Sequence, residues 1–218
     1  MFKNVLFEDR KEAGKMLAAK LEKFSAGRTM VLAIPRGGVV IGYEIAKKIH
    51  APMDIIVPRK LRAPYQPELA IGAITEDGNI ILDEQIINLL NVSSDYIKME
   101  SQRQKIEIDR RLRVYKGESK IPDLTGLDVI VVDDGIATGA TMKAALISVR
   151  KRGAKSIILA TPVASLNALR MLEQEADKTI SLFTPQHFYA IGQFYRNFEQ
   201  TSDQEVKELL KKNKTESS

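Results

Sequence analysis

The sequence predicts an α/β fold with a parallel central sheet flanked by helices, and three observations carry that expectation. Short apolar runs alternate with segments of helical period along the chain, the order that builds parallel sheets. Residues 129–141 read Val-Ile-Val-Val-Asp-Asp-Gly-Ile-Ala-Thr-Gly-Ala-Thr, an apolar strand running into two acids and a small-residue loop, with a helical segment after it. Three unusual loops each follow a strand directly, and ligands of such sheets sit at the carboxyl ends of strands.

The elements follow in order. Ala13, Leu17, Leu21 and Phe24 form a helical stripe within residues 8–24. Residues 30–34 are a short strand closed by Pro35-Arg36-Gly37-Gly38, and residues 39–49 a helix packing Ile41, Ile45 and Ile49. Residues 53–57 are a second strand, ended by Pro58. Residues 59–68 are basic, hold Pro64 and Pro67 and show no period, which predicts a loop. Residues 70–75 and 79–82 flank Asp77-Gly78, a hairpin signal. Helices are expected over 84–90 and 94–115, the latter after a Ser/Asp cap, then a connector over 121–127 holding Pro122 and Gly126. The signature strand leads to a helix ending near Arg150 with Gly153 as its C-cap. A strand over 156–161, a helix over 165–176, a strand over 179–183 and an amphipathic helix over 203–212 complete the chain before a polar tail.

A chain of 218 residues suffices for one domain with a full core, and no repeat or linker divides residues 1–218. The absence of cysteine excludes disulfides and thiolate metal sites and fits a cytoplasmic protein. Charge interrupts the opening residues too early for a secretory signal. No apolar run approaches the roughly 20 residues of a spanning helix, so no membrane partner is expected. The net charge of +5 comes from 33 basic residues mixed among 28 acids. Mixing of this kind describes a solvated surface better than a track for nucleic acid. The basic stretch from Arg103 to Arg113 reads the same way, with Glu107–Arg111 and Asp109–Arg113 at i, i+4. His50 and His187 stand alone and are not spaced as metal ligands.

A helix N-terminus behind a small-residue loop attracts phosphate through unpaired amides and the helix dipole. Asp133 and Asp134 beside it would repel a bare phosphate unless they serve another part of the ligand. Phosphoribosyl diphosphate (PRPP), with a phosphate, vicinal hydroxyls and a metal-bound diphosphate, satisfies both halves. The plainer alternative is an ordinary strand–loop–helix with Asp134 or Thr138 as N-cap.

Residues 129–141 resemble the signature of the type I phosphoribosyltransferases, with Gly135 where that family usually carries an aliphatic residue. The resemblance covers a core of about residues 30–162, and Pro67 to Ala73, Pro-Glu-Leu-Ala-Ile-Gly-Ala, is similar to a segment of its predicted stand-alone or fused members. It implies a small variable hood built from the N-terminal helix and residues 183–218. It further implies that Asp133 and Asp134 engage the ribose hydroxyls, directly or through Mg2+ and water, and that Ala137, Thr138, Gly139, Ala140 and Thr141 hold the 5′-phosphate. Arg36, Gly37 and Gly38 would bind the diphosphate. Residues 59–62 would form a mobile catalytic loop, with Lys60 the first choice at the leaving group and Arg59 next. Phe188, Phe194 or Tyr195 would stack on the acceptor base. Ala137 stands where the branch acting on 6-oxopurines carries an Asp that binds the ring, so that arrangement is not open to this chain.

The implied activity is Mg2+-dependent transfer of the 5-phosphoribosyl group from PRPP to an acceptor nitrogen, a nucleobase by expectation, by a homodimer in the cytoplasm. A PRPP-binding regulator acting on RNA or DNA is the alternative, and a hydrolase passing the ribosyl group to water a second one.

Overall fold

The computed structural model describes residues 6–24, 28–117 and 122–216. The first five residues of the charged start, Ile121 of the expected connector and the last two residues of the tail lie outside them. The chain runs α1 (Arg10–Leu21), β1 (Thr29–Ala33), α2 (Gly37–Ile49) and β2 (Met53–Ile55). Three further strands follow, β3 (Arg59–Ala63), β4 (Gln66–Ile74) and β5 (Ile80–Leu82), then helices α3 (Glu84–Leu89) and α4 (Ser94–Lys116). A second alternation gives β6 (Asp128–Val132), α5 (Ala140–Lys151), β7 (Ser156–Val163), α6 (Leu166–Leu172) and β8 (Lys178–Phe183), and α7 (Asp203–Glu216) closes the fold.

Five strands form the central sheet in the order β2-β1-β6-β7-β8, and every pairing is parallel. Both faces are covered at its centre, so β6 and β7 are apolar almost throughout rather than alternating. Side-chain period sorts the residues of β6. Ile130 and Val132 join the core layer of Leu17, Ile41 and Ile45 beneath α1 and α2. Val129 and Val131 join the layer of Met142, Leu146 and Leu172 beneath α5 and α6.

The strand order dictates where a ligand can sit. From β1 the chain moves outward to β2, whereas β6 leads the opposite way to β7 and β8. The carboxyl ends of β1 and β6 therefore diverge at a switch point, where successive helices pack on opposite faces and leave a crevice.

The basic stretch expected as a loop is instead β3 and the start of β4, an antiparallel pair to which β5 adds an edge. Leu61 and Ala63 are buried while Arg62 between them is exposed, a strand alternation that Pro64 and Pro67 conceal in the sequence. Pro67 is tolerated because β5 reaches only Gly72–Ile74, so β4 has a single neighbour at that point. The pairing absorbs the mismatch in register shifts around Arg62.

The terminal helix runs to Glu216, past its expected end at Lys212. Asn213 accepts a hydrogen bond from Met53 N at 2.7 Å and donates one to Ala51 O at 3.2 Å, which satisfies the edge strand β2. Ser93 caps α4, accepting from Tyr96 N at 3.2 Å. Glu107 binds both Arg110 and Arg111 at 2.8 Å. Gly153 takes φ +80 after α5, as expected of a C-cap. No helix among the described residues is long and apolar enough to cross a membrane.

Candidate active site

At the end of β1 the chain turns through a cis Pro35–Arg36 peptide into α2. A methyl group on Gly37 would overlap the carboxylate of Asp134. One on Gly38 would lie 2.9 Å from Val132 O and 3.0 Å from Asp133 Cα. The two glycines thus let the β1 loop lie directly on the acid couple at the end of β6. No side chain caps the start of α2, so its first amides are left without a side-chain cap. Arg36 Nη1 lies 3.6 Å from Asp203 Oδ1 in a half-exposed contact.

Asp133 and Asp134 occupy different environments. Asp133 lines a cleft of about 150 Å³, and its Oδ1 accepts a hydrogen bond from Asp134 N at 2.8 Å. Burial first, and the charge of Asp134 second, push its carboxyl well above the usual carboxylate range. Asp134 is buried and does not line the cleft; its Oδ2 accepts from Arg10 Nε at 2.7 Å. The Tyr195 hydroxyl donates to Asp134 O at 2.6 Å, and burial with the acids nearby drives that phenol above its ordinary value.

The phosphate-type loop closes the cleft. Gly139, at φ +81, stands at the N-cap of α5 and no side chain makes a capping bond, so the plainer reading of Asp134 or Thr138 as a cap does not hold. Ala137 and Thr138 are exposed. Thr138, Gly139 and Thr141 line the cleft with Asp133 and Lys60. Ser165 fixes the loop from below, donating to Ala137 O at 2.6 Å. Strand period decides between the two cations of β3. Lys60 reaches the cleft, whereas Arg59 turns the other way and donates from Nε to Gln104 Oε1 at 3.0 Å.

A family model described as phosphoribosyl transferase domain matches residues 7–199. The chain belongs to this family. Proteins of Mycobacterium tuberculosis named as phosphoribosyl transferases are 44% identical over 206 residues, covering 94% of this chain and 46% of theirs. The chain thus spans about half the length of the curated relatives it matches. A solved structure from Thermus thermophilus is 36% identical with a TM-score of 0.82, covering 94% of this chain and 97% of that one. A purine phosphoribosyltransferase from Pyrococcus horikoshii shares the fold at 15% identity and a TM-score of 0.50, over 88% and 92% of the two chains.

Within this phosphoribosyl transferase domain Phe194 and Tyr195 are structural rather than open. Phe194 is fully buried, and Tyr195 is buried with its hydroxyl on Asp134. Phe188, half-buried, tilts against Phe194 with ring centroids 5.2 Å apart. Burial of the Phe194 ring leaves no face on which a base could stack. From that segment it is Ile191 that reaches the cleft. Sequence reasoning missed two residues, Ile191 and Arg10. Arg10 stands 124 positions from its partner Asp134, and no local pattern announces a contact over such a separation. A hint for Ile191 was available in Gly135, a small residue at an aliphatic position.

Proposed function

We propose that this chain transfers the 5-phosphoribosyl group of PRPP to a ring nitrogen of a nucleobase and releases diphosphate. One observation carries the reading: the loops after β1 and β6, each opening a helix uncapped by side chains, meet at the switch point around Asp133. The amides of residues 137–141 with the hydroxyls of Thr138 and Thr141 would take the 5′-phosphate. Gly37 and Gly38 amides would take the diphosphate, with Arg36 exchanging Asp203 for a bidentate phosphate contact.

The C1–O bond to diphosphate breaks as the C1–N bond forms, and the acceptor nitrogen loses its proton to solvent or a base. Asp133, once ionised in the loaded site, would accept hydrogen bonds from the ribose hydroxyls and stabilise the positive charge developing on the ring more than the ground state. Lys60 would neutralise the departing diphosphate. Closing β3 and β4 over the cleft would exclude water from a centre that hydrolyses readily. Among the described residues no group of three or more His, Asp or Glu side chains could hold a metal ion. Mg2+ needs no such cage, since it takes one or two carboxylates and completes its shell with substrate oxygens and water. Asp133 would hold it, through water, and the ion would supply charge neutralisation of the diphosphate.

The working form in this reading is a homodimer in the cytoplasm, the dimer by analogy with relatives that pair. Ala137 removes the ring-binding carboxylate of the 6-oxopurine branch, so other heterocycles are the first acceptors to try. Diphosphate release should be followed over a panel of nucleobases with PRPP and Mg2+, beside a control without acceptor. Acceptor-dependent release supports transfer. Release without acceptor indicates hydrolysis, and PRPP binding with no release at all indicates a sensor.

A further inference from the structure

The cation of the cleft rides on a sheet that stands apart from the central one. Strands β3, β4 and β5 pair among themselves and not with the five central strands, so no strand pairing fixes Lys60 against the phosphate-type loop. The turn joining β4 to β5 supplies another tie. Within that turn Asp77 accepts hydrogen bonds from the Thr75 hydroxyl and from Asn79 N and Nδ2. Its Oδ2 also accepts from Ser148 Oγ of α5 at 2.8 Å. Lys151 donates from Nζ to Asn79 Oδ1 at 3.0 Å, and Arg152 pairs with Glu76. Three residues of the turn are thus joined to the last turn and C-cap of α5. Burial raises the Asp77 carboxyl, but the bonds from Thr75, Ser148 and Asn79 outweigh it and hold the group below its ordinary value. Ser148 itself is fully buried, on a helix whose other buried positions are apolar. A buried hydroxyl needs a partner, and a serine inside a helix often takes the carbonyl four residues back. Here the hydroxyl reaches across to the turn.

We infer that Asp77 and Ser148 are positioning residues: they fasten the sheet carrying Lys60 to the C-terminal end of α5, the helix whose N-terminus follows the phosphate-type loop. The inference rests on the reading of Lys60 as the partner of the departing diphosphate. Thr141 lines the cleft at the start of α5, and Ser148 stands two turns further along the same helix. One rigid element of 12 residues therefore sets the spacing between the loop and the cation. Helix α4 supports β3 from another side, where Tyr96 donates to Arg62 O at 3.1 Å and Glu100 Oε1 accepts from Arg62 N at 3.3 Å. Among the described residues, however, α4 contributes none to the cleft, so only the tie through α5 relates Lys60 directly to the loop.

The test is a double-mutant cycle on kcat for diphosphate release, run beside a distance measurement that needs no activity. Ser148→Ala/Lys151→Met removes two hydrogen bonds from α5 and leaves those inside the turn in place. It should lower kcat about tenfold, since displacing a reacting group by about an ångström costs up to about a hundredfold. In a Lys60→Met background the same pair should change kcat by less than about twofold, because the group it orients is already gone. The chain has no cysteine, so spin labels at the exposed positions Tyr65→Cys and Arg170→Cys report the spacing between the small sheet and α6. Ser148→Ala/Lys151→Met should broaden that distance distribution. An unchanged distribution overturns the inference, as does an equal fold-loss of kcat with and without Lys60. A lower unfolding temperature with unchanged kcat overturns it too, since the tie would then be structural alone. If wild type releases no diphosphate, or Lys60→Met matches wild type, the reading of the cleft fails, while the label distances still decide whether α5 holds the sheet.

Discussion

Ile191 packs face to face with Gly135: a methyl group on Gly135 would lie 2.5 Å from Ile191 Cγ2 and 2.9 Å from Cγ1. An aliphatic surface that relatives are expected to supply from the loop after β6 is here supplied from residues 191–194. Gly135→Ala should therefore overpack the site and destabilise the protein by about 1–3 kcal/mol. Ile191→Ala in the same chain should recover most of that loss in denaturant unfolding. A harmless Gly135→Ala would show that the contact relaxes freely.

Lys60 and Arg59 are neighbours with opposite destinations, so their variants should separate. Lys60→Met and Asp133→Asn should each lower kcat by about 10²–10³-fold, the usual cost of removing one electrostatic partner of a transition state. Arg59→Met should act mainly on stability through its bond to Gln104. Steady-state diphosphate release distinguishes these outcomes, and equal kinetic losses at both positions would contradict the alternation of β3.

Glu76 and Arg152 form a buried pair at 3.2 Å, with side chains 1% and 12% exposed, and Glu76 also accepts from Val57 N at 3.0 Å. Burial raises the Glu76 carboxyl above its ordinary 4.5, outweighing the hydrogen bonds and the Arg152 charge. The folded state then holds this proton more tightly than the unfolded one, so stability from this group falls as pH rises above about 4.5. Arg152→Met leaves the carboxylate unpaired and should cost about 3–5 kcal/mol at pH 8. The loss should be smaller at pH 5, where Glu76 can take up a proton, and urea unfolding at the two pH values measures the difference.

Glu107 behaves in the opposite sense. Hydrogen bonds from Arg110 and Arg111 hold its carboxyl at about 2, below the ordinary 4.5. Its stabilising contribution is complete above pH 4.5 and disappears as pH falls through about 2. A carbon-detected NMR titration should give a Glu107 midpoint near 2, and Arg111→Ala should move it upward.

PRPP with Mg2+ should raise the unfolding temperature more than inorganic phosphate does at equal concentration. A ligand at a hundred times its Kd stabilises by about 2.7 kcal/mol, and phosphate alone would fill only part of the proposed site. Identical shifts would indicate unspecific anion binding.

The central sheet, its parallel sense and the acid-then-small-residue loop after β6 were legible in the chain because each rests on local rules. Four β-branched residues with both faces apolar can only be a covered strand, and Gly139 marks the left-handed turn at the start of α5. Arg59 to Glu68 was illegible as strand because two prolines mask an alternation that becomes visible once β4 is its partner. The family resemblance implied a stacking platform at Phe188, Phe194 or Tyr195, yet burial of Phe194 and Tyr195 depends on the packing of β8 and residues 6–7 around them.

Sequence by itself determined the α/β layering, the phosphate-type loop and the identity of the acids, since period and residue type act within a few positions. Tertiary structure alone decided which acid faces the cleft, which cation of β3 reaches it and that Arg10 stands behind Asp134. Those choices turn on charges and volumes meeting across more than a hundred residues of chain, where the free energy of a contact has no counterpart in local pattern.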